Sequence, residues 1–477
     1  MVSIYEKIKK NYSTYLFIFF SIIFYIVLLL GSQDNDMFFE IMSGRDLLKG
    51  NFKTATHLNN FPIIVQQWLY SVCLAIADNF GYIGHISIVL FQNLALIAIS
   101  YIFIYMKTHN KKLSLFAPFF AILYCSEYMI NIRPQIITMF FLVSELIVIE
   151  KYKETKKINY LFLLFPLLIL SANFHQGIFW YHIIILAPYY FNKNSNNKTS
   201  IDLKLVFITP FLSLCSLCTP YGLDGFLYIF RTFLSKTYML YTINELEPIS
   251  IKSFIGIKLL IILIITIILI YNNKSNIFIN TYVFGITLLS LISVRHIIIL
   301  YIAILFIICV IDIKKLNNNF IKNGITFLVT LLIIILLNNA YDISNINNVK
   351  NTNYININNI ITDKEAKIYN TSMELGGYLE YCGYTKIRID SRCEAFSEEI
   401  SGVENVNKEQ YALTTGYLLD KNLKASFASN EDLLNMIKDY DYLIAKKYDY
   451  INRVVVNENN WKLIYSDNNY QIYEQIY

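Results

Sequence analysis

Long apolar runs separated by short polar connections fill the first 340 residues of the chain. Runs such as YLFIFFSIIFYIVLLLG and IIILYIAILFIICVIDI approach the roughly 18 uncharged residues that a membrane-spanning helix needs. The pattern therefore predicts an α-helical polytopic membrane protein with about eleven spans. The predicted spans are 13–30, 82–106, 113–130, 133–150, 158–172, 177–191, 204–218, 255–271, 277–293, 295–313 and 323–338.

The lysines between these runs predict the orientation of the chain, because cytoplasmic loops are rich in basic residues. The lysine clusters all fall on one side only if the short segment 65–80, which carries a Trp, lies in the interface and does not cross. The N-terminus is then cytoplasmic, and the region after residue 340 is extracytoplasmic. All seven arginines fall on the external side, where a planar guanidinium suits oxyanion binding.

The pattern changes after an Asn-rich stretch, 341–360, which we interpret as a linker. Beyond it, alternating and β-branched segments predict strands, and NEDLLNMIKDY predicts a helix capped by Asn430. We therefore expect a membrane domain over 1–340, with an external loop at 31–65, and an extracytoplasmic α/β domain over 361–477. In the loop, DMFFEIMSGRDLLKG predicts a helix that ends at Gly50. The predicted strands include AKIYNTS, KIRIDSR, DYLIAKK, WKLIYSD and YQIYEQ.

Composition narrows the possible functions. The chain is 55% hydrophobic and only 16% charged, whereas soluble proteins are usually about 25% charged. A soluble enzyme, a disordered scaffold and a nucleic-acid binder are therefore excluded as interpretations of the whole chain. The net charge of +5 says little about partners, and the positions of the charges matter more.

Two acidic residues, Asp34 and Asp36, follow the first predicted span directly. A carboxylate beside a low-dielectric boundary has a raised pKa and can act as a base near neutral pH. Two carboxylates two residues apart can divide the work between a base and a metal ligand or orienting group. An ordinary acidic start of a helix explains the same residues.

Further polar residues are predicted at the external ends of spans. Each has a plain explanation as a helix end, a turn or a side chain that reaches the headgroups. Ionisable residues near the membrane are nevertheless candidates for function, and together these would suit transfer from a phosphate-linked donor. They are Arg45, Arg133, Asn173, His175, Tyr221, Glu245, Arg295 and His296, with Asp390 and Arg392 in the tail.

The order of these motifs resembles that of the GT-C superfamily of polyprenyl-phosphate-sugar-dependent glycosyltransferases, and more closely a bacterial branch of multi-pass membrane proteins. The resemblance covers nearly the whole chain. Two departures stand out: Glu40 replaces an expected His, and Gln66-Gln67 replaces an expected His-Glu. The motifs that carry the resemblance are Asp34 and Asp36, Gly44-Arg45, Trp68-Leu69, Arg133-Pro134, Asn173 with His175 and Gly177, Pro220-Tyr221-Gly222, Glu245, Arg295, Gly376-Gly377-Tyr378-Leu379, and Asp390 with Arg392.

The resemblance implies inverting transfer of a sugar from a polyprenyl-phosphate carrier to a glycan, lipid or protein acceptor of the cell envelope, at the external face of the cell membrane. It implies that Asp34 or Asp36, with Glu245, supplies the catalytic carboxylate. Donor phosphate would be bound by Arg133 and His175, together with Arg295 and His296. It allows a divalent metal without requiring one, and no nucleic-acid partner is expected.

Two other classes of function remain open on the sequence. A transporter or flippase for a lipid-linked sugar usually shows an internal repeat and charges near the middle of the bilayer, whereas here the candidate charges gather at one face. A non-catalytic membrane scaffold is kept open by the departures at Glu40 and at Gln66-Gln67.

Overall fold

The structure is a computed structural model, and its described residues form two compact units. The first combines Met1–Gln33, Ala77–Thr219 and Glu245–Ser344, and the second combines Asp34–Ile76, Pro220–Asn244 and Asn345–Tyr477. The structure describes residues 19, 21, 36–52, 54–55, 58, 60–125, 132–193, 199–234, 248–250, 252–272, 277–292, 294–310, 357–402, 406–420 and 424–476.

Helices make up most of the described chain. In chain order they are α1 (Asp36–Leu48), α2 (Trp68–Asp78), α3 (Gly81–Thr108), α4 (Lys111–Tyr124), α5 (Gln135–Thr155), α6 (Asn159–His175), α7 (Trp180–Leu186), α8 (Leu203–Ser213), α9 (Gly222–Leu234), α10 (Phe254–Asn272), α11 (Ile277–Ile292), α12 (Leu300–Val310), α13 (Met373–Tyr381), α14 (Glu398–Ser401), α15 (Val406–Thr415), α16 (Asn430–Ile437) and α17 (Ile451–Val455).

The strands are short in the loops and longer in the tail. They are β1 (Thr54–Ala55), β2 (Pro62–Ile63), β3 (Phe191–Lys193), β4 (Thr199–Ile201), β5 (Lys367–Asn370), β6 (Lys386–Ile387), β7 (Tyr417–Leu419), β8 (Ala425–Phe427), β9 (Tyr442–Lys446), β10 (Trp461–Ser466) and β11 (Tyr470–Gln475).

The first unit consists of the apolar helices α3 to α8 and α10 to α12. Helices α3 and α5 each end in a residue with left-handed backbone, His109 at φ 51° and Lys156 at φ 58°. The N–H of each of these residues donates to a carbonyl oxygen of the last helical turn, which stops the helix in the manner usual for C-termini.

Among the described helices, only α3 is by itself long and apolar enough to cross a membrane. Leu203–Leu217 and Gly222–Thr232 pass the same test when counted together. The predicted total of eleven spans is therefore not confirmed, and the predicted spans 13–30 and 323–338 lie outside the described residues. Segment 65–80 forms α2, whose 11 residues extend about 16 Å, half of a hydrocarbon core. The orientation of the chain stays a prediction.

The second unit joins the two long loops to the tail. Helix α1 is where the loop pattern predicted it, with Asp36 in the first turn and Arg45 in the last, an arrangement that the helix dipole favours. Strands β1 and β2 pair antiparallel behind it. A small apolar cluster connects the loops with the tail, and it contains Leu47, Ile63, Val65 and Ala395, packed by Trp68, Val72 and Tyr221.

The tail contains the predicted sheet. Its five strands are ordered β10-β11-β9-β5-β6; β6, β5 and β9 are parallel, and β11 and β10 run antiparallel to them. Ile368 and Ile444 pack on one face with Leu375 and Leu379 of α13. The alternate positions, among them Tyr369 and Leu443, pack on the other face with α15, α16 and α17, as the period of two requires.

The cap of α16 differs from the expectation. The N-cap is Ser429, not Asn430: the Ser429 hydroxyl accepts from the Asp432 N–H at 3.1 Å, and the Asp432 carboxylate accepts from the Ser429 N–H at 3.0 Å. This reciprocal capping box satisfies two backbone donors, whereas a cap at Asn430 would satisfy one. The predicted domain boundaries stay a prediction, because 311–356 lies outside the described residues.

Candidate functional site

Helix α1 carries two acidic residues on one side. Asp36 lies in the first turn, and Glu40 follows four residues later, so the two side chains share a face. The Glu40 carboxyl is buried, with 3% exposure. It accepts hydrogen bonds from Gln67 Nε2 and from Ser71 Oγ, which lie at the start of α2.

The Glu40 carboxyl is tuned by these surroundings. Burial raises its pKa to about 7; the hydrogen bonds from Ser71 and Gln67 lower the pKa, the charge of Asp36 raises it, and the charge of Arg392 lowers it. The group therefore changes protonation near neutral pH. Such a perturbed carboxyl next to a second acid is typical of functional sites.

Glu40 and Gln67 are also two of the positions at which the chain departs from the GT-C pattern. That pattern expects His at 40 and Glu at 67, and here the carboxyl is at 40 and the nitrogen donor at 67. Because the structure brings the two side chains into one hydrogen bond, we interpret the departures as a single exchange between contacting partners. The sequence alone showed two separate losses.

The Gly44-Arg45 motif has a packing explanation. A Cβ on Gly44 would lie 2.0 Å from the Ser71 carbonyl oxygen and 2.8 Å from the Ala75 side chain, so only glycine lets α1 approach α2 this closely. The Arg45 guanidinium lies over the Tyr381 ring, 5.1 Å from its centroid, as a cation–π contact.

Asp390 and Arg392 meet in a buried cluster with Glu380. Arg392 Nε donates to Asp390 Oδ1 at 2.9 Å, and one terminal nitrogen donates both to Asp390 Oδ2 at 2.5 Å and to Glu380 Oε1 at 2.6 Å. One guanidinium faces two carboxyl groups. Burial raises the pKa of Glu380, whereas the Arg392 charge outweighs burial at Asp390 and lowers its pKa. The cluster therefore holds an ionised Asp390 and a Glu380 that protonates easily.

In the first unit, Arg133 and His175 lie at neighbouring helix ends. Arg133 is half-buried just before α5. The Thr138 hydroxyl lies 3.1 Å from the Pro134 carbonyl oxygen and 3.0 Å from His175 Nδ1. The structure therefore links the RP motif to the end of α6, as expected of two residues proposed to serve one phosphate.

The neighbouring candidates have local partners. Asn173 Nδ2 donates to the carbonyl oxygens of Ile169 at 2.7 Å and of Cys218 at 2.8 Å, so it ties α6 to the end of the next helical segment. His296 Nδ1 is hydrogen-bonded with the Tyr181 hydroxyl. Tyr221 packs in the apolar cluster of the second unit.

Three predicted site residues cannot be placed in this way. Asp34 and Glu245 lie outside the described residues. Arg295 is in the 3₁₀ helix Val294–Ile299, and its side chain is outside the description. Within the described ranges, no three His, Cys, Asp or Glu side chains come together as metal ligands.

The sequence analysis missed a buried row of polar side chains in the first unit. Ser171 Oγ lies 2.6 Å from His182 Nε2, and His182 Nδ1 lies 2.6 Å from Glu145 Oε2. The order is that of a serine–histidine–acid triad, but all three residues are buried, with at most 1% exposure. We interpret the row as a polar lock between α5, α6 and α7. The signal was available, since Glu145 and His182 each interrupt an apolar run.

Two solved structures match the chain over almost its whole length. The crystal structure of ArnT from Cupriavidus metallidurans in the apo state gives a TM-score of 0.58 at 10% sequence identity, covering 98% of this chain and 98% of that chain. The same protein bound to undecaprenyl phosphate gives 0.55 at 10% identity, covering 97% and 98%. No protein-family model and no curated protein sequence match. The chain therefore has the fold of ArnT, which confirms the GT-C membrane fold expected from the order of its motifs.

Proposed function

We propose that this protein is a glycosyltransferase that moves a sugar from a polyprenyl-phosphate carrier to a cell-envelope acceptor, with inversion, at the external membrane face. The observation that carries the proposal is the shared fold over 97% or more of both chains with a protein crystallised with undecaprenyl phosphate. The acidic pair on α1 adds to it, because Asp36 and the buried, tunable Glu40 form the kind of carboxylate site that proton transfer requires.

The chemistry follows from the residue types. The acceptor oxygen attacks the anomeric carbon as its proton passes to the carboxylate of Asp34 or Asp36, and the bond from that carbon to the phosphate oxygen breaks. The carrier phosphate leaves with the electron pair, and Arg133, His175 and Arg295 neutralise its charge. Glu245 and His296 are the further candidates for the acidic and the phosphate-binding group.

The test compares envelope glycans by mass spectrometry in cells with and without the gene, complemented by wild type, Asp34→Asn or Asp36→Asn at matched expression. Loss of a general base typically lowers a rate by about 10²–10⁴-fold, so one variant should fail to restore the product. Gly285→Ala is the control, because a Cβ there meets nothing within 4 Å. Identical glycans with and without the gene would refute the function, and full activity of both Asn variants would refute the base.

A transporter of lipid-linked sugar is the second candidate, favoured by the buried Glu145–His182 pair. Ionisable residues inside membrane-spanning regions often line transport paths. Transbilayer movement of a labelled polyprenyl-linked sugar in proteoliposomes separates the two functions. A transporter should lose movement in Glu145→Gln and keep it in Asp36→Asn, whereas a transferase should show no protein-dependent movement at all.

A further inference from the structure

Helix α1 is gripped by aromatic rings of the tail. The Phe38 ring lies 5.2 Å from the Tyr378 ring and 5.0 Å from the Tyr381 ring, centroid to centroid. On the next turns of the same helix, the Arg45 guanidinium lies 5.1 Å from the Tyr381 ring. Helix α13, which carries both tyrosines, therefore contacts α1 along most of its length.

The glycine pair of α13 explains how the two helices come so close. A Cβ on Gly376 would lie 2.0 Å from the Ile389 carbonyl oxygen, so this glycine seats α13 on the chain before Asp390. A Cβ on Gly377 would lie 3.1 Å from the Phe39 backbone nitrogen and 3.2 Å from the Phe39 Cβ. Gly377 therefore faces α1, and its missing side chain sets the distance to the backbone of α1.

Arg392 completes this joint from below. Its guanidinium lies 6.0 Å from the Phe39 ring, and it is fixed by Asp390 of the same loop and by Glu380 of α13. The Arg392 side chain is 11% exposed. A charge this deeply buried persists only with its partners in place, so the joint has one preferred geometry.

The joint lies beside the acidic pair. Phe39 is the neighbour of Glu40 and is three residues from Asp36, and a helix moves as a unit when its backbone is displaced. Positioning errors of about 1 Å can lower catalytic rates by about 10²-fold. The contacts of Gly377, Phe39 and Arg392 therefore reach the carboxyl groups through one rigid element.

We infer that the C-terminal region is a working part of the active site, and that Gly377 and Arg392 are positioning residues that hold α1 at its catalytic distance. This inference rests on the proposed transferase function for its catalytic half. Its structural half, that the tail fixes α1, stands independently. It also accounts for why Gly-Gly-Tyr-Leu and Asp-x-Arg, two short motifs of the tail, accompany an acidic loop helix more than 300 residues earlier.

The experiment uses the full chain in nanodiscs, with Gly377→Ala and Gly377→Val compared with Gly285→Ala and Gly285→Val. Hydrogen exchange of the α1 amides is the structural readout, and kcat and donor KM are the catalytic readouts. We expect graded loss of protection in 36–48 with the Gly377 variants, unchanged protection in α3, and kcat falling about tenfold or more for Val with donor KM within about twofold. The Gly285 variants should change neither.

Arg392→Lys provides an independent variant, because it keeps the positive charge and loses the planar fork. It should give an intermediate loss of both α1 protection and kcat. Unchanged α1 protection in Gly377→Val and Arg392→Lys would overturn the joint. Reduced protection with full kcat would overturn positioning. A wild type without transfer would refute the proposed function, and the exchange data would still decide the joint.

Discussion

Glu40→Gln is the substitution that tests the candidate site most directly. Glutamine keeps the size of the side chain and can still accept hydrogen bonds from Gln67 and Ser71, but it cannot ionise. In the wild type, burial is the main reason that the pKa of Glu40 rises from the usual 4.5 to about 7. Since a tenfold change in proton affinity is worth about 1.4 kcal/mol, ionising this carboxyl in the folded state costs about 3 kcal/mol more than in the unfolded chain.

The sign of the pH dependence follows from linkage. The folded protein binds the Glu40 proton more tightly than the unfolded chain, so the associated stability is fully present below the pKa of an unfolded glutamate. It is lost as the pH rises from about 4.5 through about 7. Glu40→Gln removes this loss, and the variant should therefore gain on the wild type by up to about 3 kcal/mol between pH 5 and pH 8.5.

The assay is thermal unfolding of the detergent-solubilised protein across this pH range, read as the difference in Tm between variant and wild type. For a unit of this size, 1 kcal/mol corresponds to about 2–4 °C, so the difference should grow by about 6–12 °C from acid to alkaline pH. Glu365→Gln, at a glutamate that is 65% exposed, should show no such trend. Curves for Glu40→Gln and wild type that stay parallel at all pH values would refute the buried, proton-binding Glu40.

Three further expectations address packing, capping and topology. Gly44→Ala should destabilise strongly or prevent folding, because its Cβ would meet a backbone oxygen at 2.0 Å, whereas Gly285→Ala should be neutral or slightly stabilising in the same denaturation assay. Ser429→Ala should cost about 1 kcal/mol of stability by removing the capping box. In a cysteine-free background, Tyr448→Cys, at an 88% exposed position, should react with an impermeant maleimide in intact cells and Lys315→Cys should not. The opposite labelling would invert the predicted topology.

The sequence predicts the elements of this fold better than their number of crossings. Apolar runs place α3, α5 and α6 within a few residues, because a buried or membrane helix must be apolar on most sides. Alternation places β9, β10 and β11 equally well. Helix length is a different matter, since breaks such as the 3₁₀ turn at Leu214–Leu217 depend on how neighbours pack.

The site is less accessible to sequence reasoning, because its contacts join distant segments. Glu40 and Gln67 are visible as unusual residues, but only the fold shows that they touch. Glu145 and His182, separated by 37 residues in the chain, become a pair in the same way. Ser429 was missed for another reason: Ser and Asn adjoin at the start of α16, and both are good caps.

The structure divides the motif residues between packing and chemistry. Gly44 and Gly377 are explained by close helix contacts, and Arg392 by its two buried carboxyl partners, without reference to a reaction. Asp36 and Arg133 have no comparable packing explanation, which leaves them as the stronger chemical candidates. Loss of activity would therefore follow mutation of either group for different reasons, and a rate alone cannot separate them. The separation requires a structural readout of α1 beside the rate, because a chemical residue changes kcat while α1 stays protected, and a positioning residue changes both.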